Sequence, residues 1–300
     1  MQPLLNWLDR CDSKAHCADS SDELECNVVE FGSSYNKYLT PPTPNSKLNR
    51  YKDSTKLEIH ATIAVHKLLH FDALTHTFDA EFTLDLEWFD SRVKFNNLRS
   101  KPKVNALLPE EVSLLWFPYF IFYNTDKREI GSVDEEAIFH VLKKEEGKMS
   151  EFYALENKQV YRGDENYIEY QRFYSKHFEC YFSLHWYPFD TQTCKIEIVP
   201  FADLKDLIEF VTEAFEYEGP KDLTEFTIKR IGMKVVNREK LEVSIVIQRR
   251  LLSILMTTFI PTLILNIIGH MSNYFKEFFF EGLMSLNVTV MLVLTTMFLR

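Results

Sequence analysis

The sequence predicts a mainly β chain: an extracellular, immunoglobulin-like sandwich followed by α-helical transmembrane segments. Three observations carry this. Phe78, Phe82, Leu84, Leu86 and Trp88 alternate with Asp79, Glu81, Thr83, Asp85 and Glu87, the period of a strand with one buried and one wet face. Cys180 and Cys194 enclose thirteen residues centred on Tyr187-Pro188-Phe189-Asp190, a loop whose cross-linking is worth about 3 kcal/mol and which implies an oxidising compartment. Leu251 to Gly269 is nineteen residues without a charge, about long enough at 1.5 Å per residue to cross a bilayer.

Composition narrows the functional classes. The 300 residues carry a net charge of −10, which argues against a nucleic-acid partner and suits an outward-facing surface. Five cysteines leave at least one without an internal disulfide partner. The nine histidines form no HExxH-like spacing, and neither a Gly-rich phosphate loop nor a nucleophile elbow is present. The expectation is therefore not an enzyme. No signal peptide precedes the first domain.

In chain order, residues 1–26 hold three cysteines, Cys11, Cys17 and Cys26, among acidic residues. Residues 27–55, with Pro41-Pro42-Thr43-Pro44-Asn45-Ser46, read as a linker. Residues 56–249 read as β throughout, with 203–216 ambiguous, and no helical pattern of equal quality interrupts them. Residues 250–300 hold two apolar helices, 251–269 with a central Pro261 and 278–299. Arg249 and Arg250 favour the cytoplasmic side by the positive-inside rule. The disulfides require the large domain outside, and long domains translocate largely regardless of charge. Ser285, Thr289, Leu292 and Thr296, spaced by four, three and four, share one face of the second helix. Five such faces around an axis make a hydroxyl-lined path with one leucine ring able to close it by dewetting. Helix packing through small polar residues is the other reading of that stripe.

Two resemblances follow from these residues. The Cys180–Cys194 segment, with its aromatic-Pro-Phe-Asp centre and Thr191-Gln192 before the second cysteine, resembles the signature loop of the Cys-loop, or pentameric, ligand-gated ion channels. Val288–Met297 resembles the same family's pore helix, with Leu292 at its central leucine. The resemblance covers roughly 56–300. It implies an extracellular ligand-binding sandwich and four membrane helices, of which only the first two are present. It further implies four identical or homologous partner subunits, a small-molecule ligand, and a multi-pass plasma-membrane location with the amino terminus outside. A truncated, non-conducting, membrane-tethered binding or regulatory subunit is the alternative.

By the same resemblance, ligand contacts fall on Trp88 and Arg92 (Trp-Phe-Asp-Ser-Arg, like the complementary-face motif), on Tyr123, and on Phe201, seven residues after Cys194. Trp116 reads as sandwich core. Gating falls on Tyr187, Pro188, Phe189 and Asp190, with Arg249 or Arg250 as the partner of Asp190. Pore positions are Glu281, Ser285, Thr289, Leu292 and Thr296. Anion-selective members carry Pro-Ala-Arg at the inner mouth. Here Phe280-Glu281-Gly282-Leu283 stands instead, and a carboxylate ring at Glu281 favours cations. Only Asn237-Arg238-Glu239-Lys240 lie where the family has its capping loop, so the ligand box would lack a wall.

Residues 11–26 resemble the carboxy-terminal half of a low-density-lipoprotein-receptor class A repeat. That implies a Cys11–Cys26 disulfide, Cys17 without its family partner, and a calcium ion at Asp12, Asp22 and Glu23. His16 replaces a family aspartate. A disordered acidic tail is the alternative. No cofactor is expected for the channel itself.

Overall fold

The computed structural model describes residues 16–19, 26–43, 55–125, 130–131, 133, 136–144, 151–153, 158–272, 274 and 280–298. Cys11, Asp12, Asp22 and Glu23, the expected disulfide and calcium positions of the amino-terminal repeat, lie outside these. Cys26 is disulfide-bonded, and Cys17 keeps its thiol.

The strands in chain order are β1 (Val29–Phe31), β2 (Leu57–Asp72), β3 (Thr77–Trp88), β4 (Val93–Asn96), β5 (Phe120–Phe122), β6 (Ile130–Gly131), β7 (Ile138–Leu142), β8 (Glu151–Tyr153), β9 (Lys158–Arg162), β10 (Tyr167–Glu179), β11 (Thr191–Pro200), β12 (Ile208–Tyr217), β13 (Phe226–Val236) and β14 (Lys240–Arg249). They form two five-stranded sheets, β12-β2-β3-β10-β7 and β13-β14-β11-β5-β6, and a four-stranded sheet β1-β4-β9-β8. The sandwich architecture matches the alternation in the sequence. In β3 the even-numbered residues are buried without exception and the odd ones are half-wet. Phe82 from the first sheet meets Phe122 from the second edge-on at 5.9 Å, and Phe122 meets Tyr174 at 5.0 Å. Phe78 stacks on Phe178 at 5.6 Å. Burial of each such ring contributes about 1.5–3 kcal/mol, so the core is an aromatic layer between two sheets.

Three features depart from the expectations. The linker expectation fails over its first part: β1 pairs antiparallel with β4, and the Val29 amide donates to the buried carboxylate of Glu111 at 2.7 Å. Glu111 itself belongs to a short helix, α1 (Pro109–Leu114), with proline at its first position and two acids in its first turn, where the helix dipole favours them. The ambiguous 203–216 stretch is a strand: β12 runs parallel to β2, with a bulge between Thr212 and Ala214.

Beyond β14 the chain is helical. The first apolar stretch comprises α2 (Leu251–Ile254), a π-helical turn at Leu255–Phe259 and α3 (Ile260–Ser272). Pro261 has no amide to offer the preceding turn, which is where such bulges arise. Beside it the Thr262 hydroxyl bonds back to its own preceding turn, to the carbonyls of Thr258 at 2.8 Å and Phe259 at 2.9 Å. The second stretch is α4 (Phe280–Phe298). Among the described residues no helix is long and apolar enough to cross a membrane. The nineteen-residue first span expected from the sequence is helical throughout, with the π-helical turn set between α2 and α3.

By contacts the chain forms two compact units, one of Met1–Tyr181, Cys194–Gly219 and Ile231–Ser244, the other of Phe182–Thr193, Pro220–Arg230 and Ile245–Arg300. The sandwich core belongs to the first. The tip of the cysteine loop and the helices α2, α3 and α4 belong to the second, and α1 to the first.

Candidate functional site

Within the second unit, Arg249 pairs with buried Asp190 and, at 3.7 Å, with exposed Glu225. Cys180 and Cys194 are joined, with Cα atoms 5.0 Å apart, and Asp190 lies four residues before the second sulfur. Its carboxylate accepts from Arg249 Nε at 2.9 Å and from the second guanidinium nitrogen at 3.3 Å. Both side chains are buried, at 2% exposure for Asp190 and 7% for Arg249. Arg249 also lies over the rings of Phe226, 4.5 Å away, and Tyr187, 5.1 Å away. Burial pulls the Asp190 carboxyl upward. Hydrogen bonds from Arg249 and Gln192, together with the Arg249 charge, outweigh it and leave the group below its ordinary value.

Of the two candidate arginines, only Arg249 meets Asp190. Arg250 instead donates to the Leu223 carbonyl at 3.0 Å. Gln192, which the sequence reading passed over, holds the loop in register. Its amide donates to Asp190 Oδ2 at 2.6 Å and to the Ser183 carbonyl at 2.8 Å, and its carbonyl accepts the Ser183 amide at 3.0 Å. The signal was available: a glutamine two residues after the aspartate, on the buried phase of β11. Tyr187 and Phe189 are exposed at 48% and 69%, and Trp186 at 73%. Pro188, half-buried, follows a cis peptide bond. The loop presents an aromatic tip above a buried charged root.

The four aromatic and basic residues expected to touch a ligand do not converge. Trp88 is fully buried, packed edge-on against Trp116 at 6.1 Å and Phe117 at 6.2 Å, so it is sandwich core and has no face for a ligand. Arg92 is committed to the protein. It grips Asp90 through Nε at 2.8 Å and a terminal nitrogen at 2.7 Å. It also donates to the carbonyls of Asn36 at 3.1 Å and Leu39 at 2.6 Å. Its role here is to tie the Tyr35–Leu39 segment to the end of β3. Tyr123 is half exposed, and its amide bonds the Glu197 carbonyl at 2.8 Å, whereas the Phe201 amide bonds the Tyr119 carbonyl at 2.9 Å. Those attachment points are four strand residues apart, about 13 Å, so Tyr123 and Phe201 mark opposite ends of β5.

Between β13 and β14 the chain turns tightly. Asn237 and Arg238 have φ of 53° and 61°, the two successive positive values of a type I′ hairpin turn. The Arg238 carbonyl accepts the Phe210 amide at 2.9 Å, and Glu239 reaches Lys205 at 3.3 Å and Lys56 at 3.6 Å. The segment is fixed to the sheet edge. Beside it, buried Glu242 accepts from Lys234 at 3.0 Å, Lys195 at 3.1 Å and the Ser244 hydroxyl at 3.1 Å. Burial raises this carboxyl, but those donors win and lower it to about 2. Its stabilisation is present above the unfolded glutamate value of 4.5 and is lost as pH falls toward 2. Glu242→Gln is expected to flatten the acid limb of a stability-versus-pH curve in that window. Because the lysines are partly exposed and screened, the effect is about 1 kcal/mol. Unchanged curvature in acid unfolding would count against the assignment.

On α4, Ser285, Thr289, Leu292 and Thr296 are all exposed, Leu292 at 63%. Leu283, Asn287, Val290 and Leu294, half a turn away, are half-buried. A methyl added to Gly269 of α3 would touch Val290 at 3.9 Å. The hydroxyl-and-leucine stripe therefore faces away from α3. Thr289 and Thr296 donate their hydroxyl protons to the carbonyls of Leu286 at 2.7 Å and Val293 at 2.8 Å, which leaves oxygen lone pairs pointing outward. Glu281 is exposed in the first turn. Among the described residues no group of three or more histidine, cysteine, aspartate or glutamate side chains could hold a metal ion.

Comparison with known proteins adds the following. Residues 30–251 match the model of the neurotransmitter-gated ion-channel ligand binding domain. The gamma-aminobutyric acid receptor subunit gamma-1 of Homo sapiens is 23% identical over 236 residues, covering 72% of this chain and 45% of the relative. The gamma-aminobutyric acid receptor subunit beta-like of Drosophila melanogaster is 22% identical over 249 residues, covering 75% of this chain and 46% of the relative. The chain spans about half the length of these curated relatives.

Proposed function

The chain belongs to the neurotransmitter-gated ion-channel ligand-binding domain family, and we propose that it acts as one subunit of a pentameric ligand-gated ion channel. An extracellular ligand would bind between subunits and bias a pore lined by α4. The observation that carries this is the buried Asp190–Arg249 pair: the cross-linked loop is held to the residue that leads into the first apolar helix, so a displacement of one is felt by the other. A membrane setting is supported by exposed apolar side chains along the helices, among them Leu252, Leu263, Ile267, Val288 and Met291, each more than half exposed. In water such a surface is costly, at about 25 cal/mol per Å². Partners would be four like subunits and the lipid bilayer, at the plasma membrane with the amino terminus outside.

The pore reading rests on the exposed stripe of α4. Outward lone pairs on Thr289 and Thr296 and the exposed carboxylate of Glu281 suit cations, and Leu292 supplies the apolar ring. Relatives at 22–23% identity lend the cation preference no support, so it stands on these residues alone. The proposed ligand face carries Tyr123 at one end of β5 and Phe201, beside exposed Tyr119, at the other, and a tight turn stands where a covering loop would lie. The amino-terminal half-repeat, with calcium at Asp12, Asp22 and Glu23, belongs to the same proposal, and a calcium titration of the chain tests it.

The decisive experiment is electrophysiology of the chain extended to its full length in oocytes, against a ligand and pH panel. Ligand-evoked current is expected. Tyr123→Ala and Phe201→Ala are expected to raise the half-maximal ligand concentration about tenfold or more, from the loss of about 0.5–2 kcal/mol of cation–aromatic attraction and of packing. Responses unchanged by both would remove this face as the ligand site. A reversal potential that follows chloride would overturn the cation preference.

A further inference from the structure

The outward face of the β12-β2-β3-β10-β7 sheet carries a transverse row of ionisable residues. The strand register sets His60 opposite Glu87, Glu87 opposite Glu169, and Glu169 opposite His140. All four are in the phase opposite the buried Leu86 and Trp88. Directly opposed side chains have Cβ atoms about 4.5–5.5 Å apart, and like charges there repel. Nothing in the row balances the Glu87–Glu169 pair. His60 is engaged elsewhere, with Nδ1 3.2 Å from Glu213 of β12 and Nε2 3.5 Å from Glu58. His140 Nδ1 lies 3.9 Å from Glu169, but burial and the charge of Lys103 hold His140 below its ordinary value, so it is neutral at physiological pH. Beside Glu87 the Lys144 ammonium lies 4.1 Å over the Tyr167 ring and 5.8 Å over Phe89.

We propose that the His60–Glu87–Glu169–His140 row is a proton-responsive element, in which a proton taken up by Glu87 removes its repulsion from Glu169 and tightens β3 against β10. The inference goes beyond the channel reading and does not need it. Burial, Glu169, Glu213 and Asp85 on its own strand all push Glu87 up, against Lys144, to about 7. Asp85 and Glu169 are raised as well, both chiefly by burial. Folding therefore takes up a proton between the unfolded glutamate value of 4.5 and about 7. Stability falls as pH rises through that window and levels above it.

Thermal unfolding of the whole chain in detergent from pH 5 to 8.5 tests this. The wild type is expected to lose roughly 3–5 °C more than Glu87→Gln across that range. Lys144→Met, which removes the opposing cation, is expected to move the wild-type transition to higher pH. Should Glu87→Gln fail to fold, the Lys144→Met shift alone decides. A Glu87→Gln curve parallel to wild type, or a transition that Lys144→Met leaves in place, overturns the proposal. Because the readout is stability, its failure and the failure of the channel reading are separate events.

Discussion

Asp190→Asn is expected to destabilise the second unit by about 3 kcal/mol and to abolish ligand-evoked current. The magnitude follows from burial. An exposed ion pair is worth about 0–1 kcal/mol, but removing one partner of a buried pair costs about 3–5 kcal/mol, because the other charge is stranded. Asp190 and Arg249 are 2% and 7% exposed, which puts them in the second class. Asparagine keeps one acceptor oxygen, so the low end applies. Arg249→Lys is expected to cost nearly as much, since an ammonium cannot reproduce the two-pronged contact. A double-mutant cycle by urea unfolding is the measurement, and a coupling above about 1 kcal/mol is expected for residues in direct contact. Asp190 has a lowered folded-state pKa, so its contribution is present above the ordinary aspartate value of 3.8 and is lost as pH falls below it. Its effect should therefore be constant from pH 5 to 8. Unfolding and current both indistinguishable from wild type would remove the pair from any coupling role.

The second large effect is expected at the disulfide. Replacing Cys180 and Cys194 together by serine opens a loop enclosing thirteen residues and should cost about 3 kcal/mol, most of it through a freer unfolded chain. Surface delivery should fail at 37 °C, since losses of this size often do that to disulfide-stabilised domains. The two predictions are coupled. With the loop open, Gln192 and Asp190 are no longer held in place, so Asp190→Asn should cost less in the double-serine background than alone. Full additivity would mean that the cross-link does not position the ion pair. Mass spectrometry finding two unlinked thiols in protein from the cell surface would dispose of the premise.

Much of this was legible because it is local or periodic. The alternation of β3 announces a strand, and the same alternation already sets Trp88 in phase with Phe82, Leu84 and Leu86, all buried. Its assignment to a ligand surface ignored that phase, and its place in the core could have been read from the sequence. The Asp190–Arg249 meeting was legible because the loop and the first helix each carry a distinctive sequence mark. The choice between Arg249 and Arg250 was not, since it depends on Arg249 ending β14 while Arg250 already caps α2. Glu111 and β1 were missed because their bond joins residues 82 apart in the chain, and no spacing rule reaches that far. Arg92 was misjudged for the same reason: two of its donors are taken by backbone carbonyls more than fifty residues away. The parallel pairing of β12 with β2, interrupted by a bulge, likewise leaves no periodic trace. The π-helical turn before Pro261 shows that nineteen uncharged residues predict a helix but not its regularity.

The type I′ turn at Asn237-Arg238 has a kinetic consequence. A receptor that folds a flap over its agonist slows the agonist's escape, because the flap must reopen first. Here the segment is a fastened corner, and an occupant could be retained only by the walls. Deactivation after agonist washout should then be rapid and set by dissociation alone, with potency gained by faster arrival instead of longer residence.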